Sequence, residues 1–304
     1  MAIVGVGKIA RDQHIPSLAA SPDFELVACA SRNAQVDGVA NFPTLAALLD
    51  SPVEIDAVAI CSPPQVHFEA ARLALARGKH VLLEKPPCAT TAQLDQLARD
   101  ALAAGRTLFQ SWHSQHADGV EPARQWLASR TIRHAKVTWK EDVRQWHPGQ
   151  TWIWQAGGFG VFDPGINAMS ILTRIAPQPI FAARASLFFP SNCEAPIAAD
   201  IAFETDSRAI IAAAFDFRHT GVQTWDIEIE TDDGALTLSA GGSLLAIDGV
   251  PVALPASDGE YPSLYRRFAE LIAAGGSDVD SRPFQLVADA FLVGRRFTVE
   301  AFEP

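Results

Sequence analysis

The chain has 304 residues, 48% of them hydrophobic and 19% charged, an ordinary globular composition with length enough for two cores. A formal charge of -11 argues against a nucleic-acid or anionic-membrane partner, both of which need an excess of Lys and Arg. No apolar run approaches the roughly 20 residues of a membrane span, and no charged leader precedes the first strand, so a cytoplasmic protein is expected. Four widely spaced cysteines (Cys29, Cys61, Cys88, Cys193) fit a reduced protein without a disulfide framework or a zinc site.

Ala2 to Val6 reads as a short buried strand, so close to Met1 that a short native segment before it is expected to be missing. Gly5-Val6-Gly7-Lys8-Ile9-Ala10 then spells G-x-G-x-x-A, and a helical pattern follows with Ile9, Ile15 and Leu18 inward. Strand before and helix after are the setting in which such glycines let backbone approach a pyrophosphate at a helix N-terminus. A purely structural turn is the other reading. The second strand, Phe24 to Ala30, is followed by Ser31-Arg32-Asn33 where an acid would select NAD through the ribose diol. A hydroxyl beside an arginine suits a 2′-phosphate, so NADP is favoured and NAD remains an alternative.

A short helix over Leu45–Leu49 and a buried strand over Ile55–Ile60 come next. That strand ends in Cys61-Ser62-Pro63-Pro64-Gln65-Val66-His67, with a helix from about Val66 to Ala76. Ser62, Pro63 and His67 are assigned to the cofactor side, since a proline-stiffened turn here pre-sets the first helical turn. Val81-Leu82-Leu83 is a buried strand ending in Glu84-Lys85, and Pro86-Pro87 stop its ladder. A lysine at the carboxyl end of a parallel strand sits where open α/β sheets bind ligands. Thr90 or Thr91 caps the next helix, and Thr107–Gln110 is the last strand of a doubly wound parallel sheet.

Six of the seven tryptophans lie between Trp112 and Trp154, among His113, His116, Glu141, Asp142, His147 and Gln155. Indoles beside carboxylates and imidazoles can grip a sugar, stacking on its C–H faces while polar groups bond its hydroxyls. Some of these rings must instead fill core, Trp126 and Trp139 in particular. A metal site at His113, His116 and His147 is disfavoured, because no carboxylate pair shares a helical spacing with them. A helix near Val120–Ser129 and a strand over Ile132–Lys140 lead into a long loop from Glu141 to Phe162.

Asp163-Pro164-Gly165-Ile166-Asn167 opens a helix running to Ile175. Asp163 as N-cap with Pro164 at the first helical position explains both residues structurally. A carboxylate and an amide four residues apart can equally serve as a base and its orienting partner, and the two readings stand level. Beyond Pro179, strands at Phe181–Phe189, Ile197–Glu204, Ala209–Asp216, Trp225–Thr231, Ala235–Leu238, Leu244–Ile247 and Val250–Leu254 predict a large antiparallel sheet. The strands alternate poorly, so both faces are expected to be covered, one by the Asp163 helix and one by a second subunit. Closing helices at Leu264–Ala274 and Phe284–Ala301 are expected to return to the first domain.

The ordered set of Gly5–Ala10, Ser62–His67, Glu84-Lys85-Pro86 and Asp163–Asn167 resembles the glucose–fructose oxidoreductase/inositol dehydrogenase family along the whole chain. The resemblance implies an N-terminal Rossmann domain over residues 1–112. It also implies an α+β domain over 113–304 with a large, mostly antiparallel open sheet, paired sheet to sheet in homodimers. It marks Lys85 and Asp163 as catalytic, and Gly5, Gly7, Lys8, Ile9, Ser31, Arg32, Ser62, Pro63, His67, Glu84 and Lys85 as cofactor-binding. Many members carry histidine where this chain has Asn167, and an amide cannot take that proton, so the role moves to Asp163. Asn167, with Lys140 to Gln150, resembles the L-arabinose and D-galactose 1-dehydrogenase branch. That branch implies His113, Glu141, Trp146, Trp152 and Trp225 as sugar contacts, beside Asp163 and Asn167. The expected activity is NAD(P)-dependent oxidation of a pyranose C1 hydroxyl to a 1,5-lactone. Another sugar or diol oxidoreductase of the family, a non-catalytic NADP sensor, and a permanently bound NADP shuttle are the alternatives.

Overall fold

The computed structural model describes residues 1–255 and 257–303, and the chain divides into two compact units. The first holds Met1–Trp112 and Asp258–Ser281, the second His113–Ser257 and Arg282–Pro304.

In the first unit β1 (Ala2–Val4), β2 (Ala28–Ala30), β3 (Ala40–Phe42), β4 (Ala57–Ile60), β5 (His80–Leu83) and β6 (Leu108–Gln110) form one parallel sheet in the order β3-β2-β1-β4-β5-β6. That is the doubly wound order with its switch point beside β1. The strands are shorter than the apolar runs suggested: β2 begins at Ala28, although Val27 still donates to the Met1 carbonyl at 3.0 Å and accepts from the Ala40 amide at 3.1 Å. β1 offers only Ala2 to Val4 as partners, which pair with Ala28 to Ala30. The edge strand β3 is three residues long with Asn41 at its centre, too short to show an apolar alternation in the sequence. Thr90 caps the Thr91–Ala104 helix in a capping box with Gln93, and Leu94, Leu97 and Ala101 are buried. The Glu260–Ala274 helix lays Leu264, Tyr265, Phe268 and Leu271 into a core shared with Ile3, Val6, Leu18, Leu82 and Phe109.

The second unit is built on a nine-stranded sheet. Its strands are β7 (Ile132–Lys140), β8 (Ile180–Pro190), β9 (Ala198–Thr205), β10 (Ile210–Asp216), β11 (Thr224–Thr231), β12 (Ala235–Ser239), β13 (Leu244–Ile247), β14 (Val250–Pro251) and β15 (Gly294–Val299), in the order β14-β13-β12-β11-β7-β10-β9-β8-β15. Neighbours are antiparallel except β7 with β10 and β8 with β15. The last helix spans only Arg282–Val293, and the expected helical turns up to Ala301 are instead strand β15. Gly294 marks the change, since a Cβ there would lie 2.5 Å from the Ala290 carbonyl and 2.8 Å from Leu187. Phe297-Thr298-Val299 then has the aromatic and β-branched character that suits a strand.

Burial alternates along β10: Ile211, Ala213 and Phe215 face inward, while Ile210 and Ala212 are exposed. The outer face carries Phe181, Ile210 and Phe297, each close to half exposed, and Phe297 stacks on Phe188. Cross-strand register puts Ile210, Glu204 and Phe181 in one row of that face. Among the described residues, no helix is long and apolar enough to cross a membrane.

Candidate active site

On the first unit the glycine turn follows β1 directly. Gly5 takes φ +89°, and a Cβ on it would lie 2.8 Å from the Ser62 amide, so only glycine fits between the ends of β1 and β4. At Gly7 a Cβ would meet nothing within 4 Å, which leaves backbone open to an approaching ligand. Lys8 pairs with Asp12 on the helix surface, and Ile9 precedes a π-helical turn over Ala10–His14. That wide turn delivers His14 into the core. Ser31 and Arg32 follow β2, and the exposed Arg32 makes no hydrogen bond or ion pair among the described residues. The Ser62 hydroxyl is buried without a hydrogen-bond partner among the described residues. Open backbone at Gly7, an orphaned hydroxyl at Ser62 and an uncommitted guanidinium at Arg32 fit a bound dinucleotide.

His67 turns inward. Its Nδ1 lies 3.1 Å from the Pro87 carbonyl and its Nε2 faces the Ser62 carbonyl, so it ties the Pro63 turn to the Lys85 turn. Burial lowers its pKa, against the pull of those two carbonyls. Glu84 is also interior. Its Oε1 accepts from His14 Nε2 at 2.9 Å and from the Tyr261 hydroxyl at 3.0 Å, while Oε2 accepts the Lys85 amide at 2.8 Å. The Tyr265 hydroxyl lies 2.7 Å from His14 Nδ1 and completes the chain. Burial above all, with Glu84 adding to it, pushes the Tyr261 phenol well above its ordinary range, so it stays a donor. Lys85 itself is half-buried.

On the second unit β7 and β10 run the same way, so the segments after them emerge side by side: Glu141 donates its amide to Asp216, and Val143 to Phe217. The antiparallel β11 begins there, setting Trp225 opposite Trp139. The Glu141 carboxylate, 2% exposed, accepts the Trp225 indole N–H at 2.8 Å. The expected open loop is locally helical at Val143–Trp146 and Thr151–Trp154, and the second of these turns carries Trp152. Trp146 lies 4.9 Å from the Trp225 ring, centroid to centroid. His113 stands half-buried on the turn His113–His116.

The helix that carries Asp163 spans Phe162–Ile175 with Val161 as its N-cap, so Asp163 is not the cap and Pro164 is not the first helical residue. Gly160, at φ +54°, turns the chain early, and the first helical bond runs from Gly165 to Val161. Pro164 is then third in the helix, where its missing N–H removes no intrahelical bond. The Asp163 side chain, 3% exposed, has Oδ2 3.6 Å from His147 Nδ1, and His147 Nε2 lies 3.0 Å from Glu141 Oε1. Asn167 is half-buried one turn later, its amide without a hydrogen bond among the described residues. Asp163, Glu141, Trp225 and Trp146 thus converge, and His147, to which the sequence assigned no role, bridges the two acids. Among the described residues, no group of three or more His, Cys, Asp or Glu could hold a metal ion.

A family profile described as "Oxidoreductase family, NAD-binding Rossmann fold" matches residues 1–111. Galactose 1-dehydrogenase of Pseudomonas fluorescens is 48% identical over 99% of this chain and 98% of its own length. The crystal structure of a D-galactose-1-dehydrogenase protein from Rhizobium etli superposes with TM-score 0.93 at 56% identity, covering 99% of this chain and 97% of that one. A 3-ketoreductase from Actinomadura kijaniata, solved with NADP and TDP-benzene, shares the fold alone: TM-score 0.84 at 19% identity, 98% of both chains. Full-length identity to the Pseudomonas enzyme, with the profile over the parallel sheet, makes this chain a member of the glucose–fructose oxidoreductase/inositol dehydrogenase (GFO_IDH_MocA) oxidoreductase family.

Proposed function

We propose that the protein is an aldose 1-dehydrogenase that oxidises the anomeric hydroxyl of D-galactose or L-arabinose to the 1,5-lactone, with NADP preferred and NAD also used. The observation that carries this reading is the buried Asp163 carboxylate, which is not the N-cap of its helix and is set beside His147 and the Glu141–Trp225 pair. Two relatives that span the chain at 48% and 56% identity are, by name, galactose 1-dehydrogenases.

Asp163 takes the proton of the anomeric hydroxyl, and Lys85 hydrogen-bonds the same oxygen and favours its anionic character. Asn167 holds the sugar in register, with Glu141, His113, Trp146, Trp152 and Trp225 as the gripping set. The dinucleotide, when bound, supplies the hydride acceptor. Gly5, Gly7, Lys8, Ile9, Ser62 and Pro63 form its pyrophosphate cradle, and Ser31 and Arg32 take the 2′-phosphate. His67 and Glu84 serve that side by holding the turns in place. The test is a panel of aldoses assayed for reduced cofactor with NADP and NAD separately. D-Galactose or L-arabinose should be oxidised with NADP, and a panel without any turnover overturns the reading.

Arg32→Ala should raise the KM for NADP by roughly 30-fold, about 2 kcal/mol for a lost charge-assisted phosphate contact, and leave NAD kinetics unchanged. Steady-state kinetics with both cofactors decide it. Trp146→Ala should raise the sugar KM roughly fivefold, on the order of 1 kcal/mol for a lost ring face, without altering NADP affinity in fluorescence titrations. The reverse pattern places this tryptophan on the cofactor side.

The outer face of the nine-stranded sheet, with Phe181, Ile210 and Phe297 exposed, supports a homodimer formed sheet to sheet. Light scattering should give twice the chain mass. The four free cysteines, three of them buried, favour a reducing compartment such as the cytoplasm.

A further inference from the structure

Sugar oxidation makes one proton for every hydride. The C1–H bond gives its hydrogen and electron pair to the dinucleotide, the O1–H bond breaks as C1=O forms, and the proton passes to Asp163. Before the next turnover Asp163 must lose it, yet its side chain is 3% exposed.

We propose that His147 is the way out: a positioning residue that takes the proton from Asp163 on Nδ1 and releases one from Nε2 toward Glu141 and solvent. This rests on the proposed role of Asp163. An imidazole can accept at one nitrogen, hold the proton near neutral pH and donate from the other nitrogen, which an amide cannot do. The ring is placed for this, with Nδ1 3.6 Å from Asp163 Oδ2 and Nε2 3.0 Å from Glu141 Oε1. The longer gap suits transfer through one intervening water or a small ring rotation on substrate binding. His147 is also the outlet, its side chain being 13% exposed against 3% for either carboxylate. It is held there: its amide donates to Val143 at 2.8 Å, Phe217 packs 5.4 Å from the ring, and the Trp225 indole fixes Glu141. The charged groups facing the ring are Glu141, from the segment after β7, and Asp163, from the helix. Gln150, 3.4 Å from Nδ1, and Phe217 are uncharged.

The experiment follows reduced cofactor by absorbance and released protons by an indicator dye in weak buffer, using D-galactose, L-arabinose and NADP. The proteins are wild type, His147→Gln, His147→Ala and Asp163→Asn. Both His147 variants should complete a first turnover, then slow roughly 100-fold as proton release lags behind reduced cofactor. Free imidazole should accelerate His147→Ala severalfold and leave Asp163→Asn unchanged, a response that a merely structural histidine does not give. His147→Gln turning over at the wild-type rate, or imidazole without effect on His147→Ala, overturns the relay and leaves the assigned activity standing. A wild type inert toward both sugars removes the activity and the relay together.

Discussion

Asp163→Asn is expected to retain the fold and the sugar site and to lose turnover by roughly two to four orders of magnitude, the usual worth of a positioned base. Asn has nearly the shape of Asp and can still hydrogen-bond, so the neighbouring imidazole, 3.6 Å from Oδ2, keeps a polar partner. What disappears is the capacity to take a proton. Had the carboxylate capped its own helix, the substitution would have mixed a structural change with the chemical one. The helix starts at Phe162 with Val161 as its cap, so the substitution leaves the cap residue itself unchanged. A carboxylate in the first turn does favour the helix dipole, and its neutralisation costs about 0.3–1 kcal/mol, a small change in melting temperature. The measurements are kcat and KM for the sugar together with thermal melting, with and without NADP. Near-normal turnover would make Asp163 a structural residue and leave Lys85 as the proton acceptor.

Much of the fold was legible because strongly local chemistry dictated it. The Thr90–Gln93 capping box, the buried runs of β4 and β5, and the limits of β7 depend on residues within a few positions of one another. The misreadings arose where partners distant in sequence decide. Phe24 to Val27 looks like strand, but only Met1 precedes β1 as a neighbour, so Val27 keeps backbone partners while Phe24 to Leu26 lie outside the strand. The last segment has helical periodicity through Ala301, yet close packing at Gly294 and a free edge on β8 draw Gly294–Val299 into the sheet. Asp163-Pro164 is a good cap signal, overridden because Gly160 turns the chain three residues earlier. For the candidate site, the residue types were readable and their wiring was not. His147 lay among six tryptophans and several polar groups with nothing local to single it out. Its role follows from β7 and β10 being parallel, which brings Glu141, Phe217 and Trp225 to one end of the sheet. His14, Tyr261 and Tyr265 were equally invisible, since the tyrosines meet His14 and Glu84 only by a sequence separation of 177 residues or more.

That buried cluster should produce the largest loss of stability from any single substitution near the site. Glu84→Ala removes an acceptor used by three donors: His14 Nε2 at 2.9 Å, the Tyr261 hydroxyl at 3.0 Å and the Lys85 amide at 2.8 Å. His14 is 0% exposed and Glu84 1%, so water does not readily replace the lost oxygens. Each orphaned buried donor costs about 1–3 kcal/mol, with some relief from relaxation, so the sum should be about 3–5 kcal/mol. The effect should reach catalysis too, because the carboxylate fixes the backbone of the residue that carries the Lys85 ammonium. Glu84→Gln separates the two consequences. It preserves volume and keeps an acceptor oxygen, but its NH2 must then face one of the donors, so the stability loss should be smaller while Lys85 remains misplaced if the amide side turns to it. Denaturant unfolding gives the first quantity and turnover at saturating sugar the second. A Glu84→Ala protein within about 1 kcal/mol of wild type and fully active would mean that the His14–Tyr261–Tyr265 cluster merely fills space beneath Lys85 and does not hold it in place.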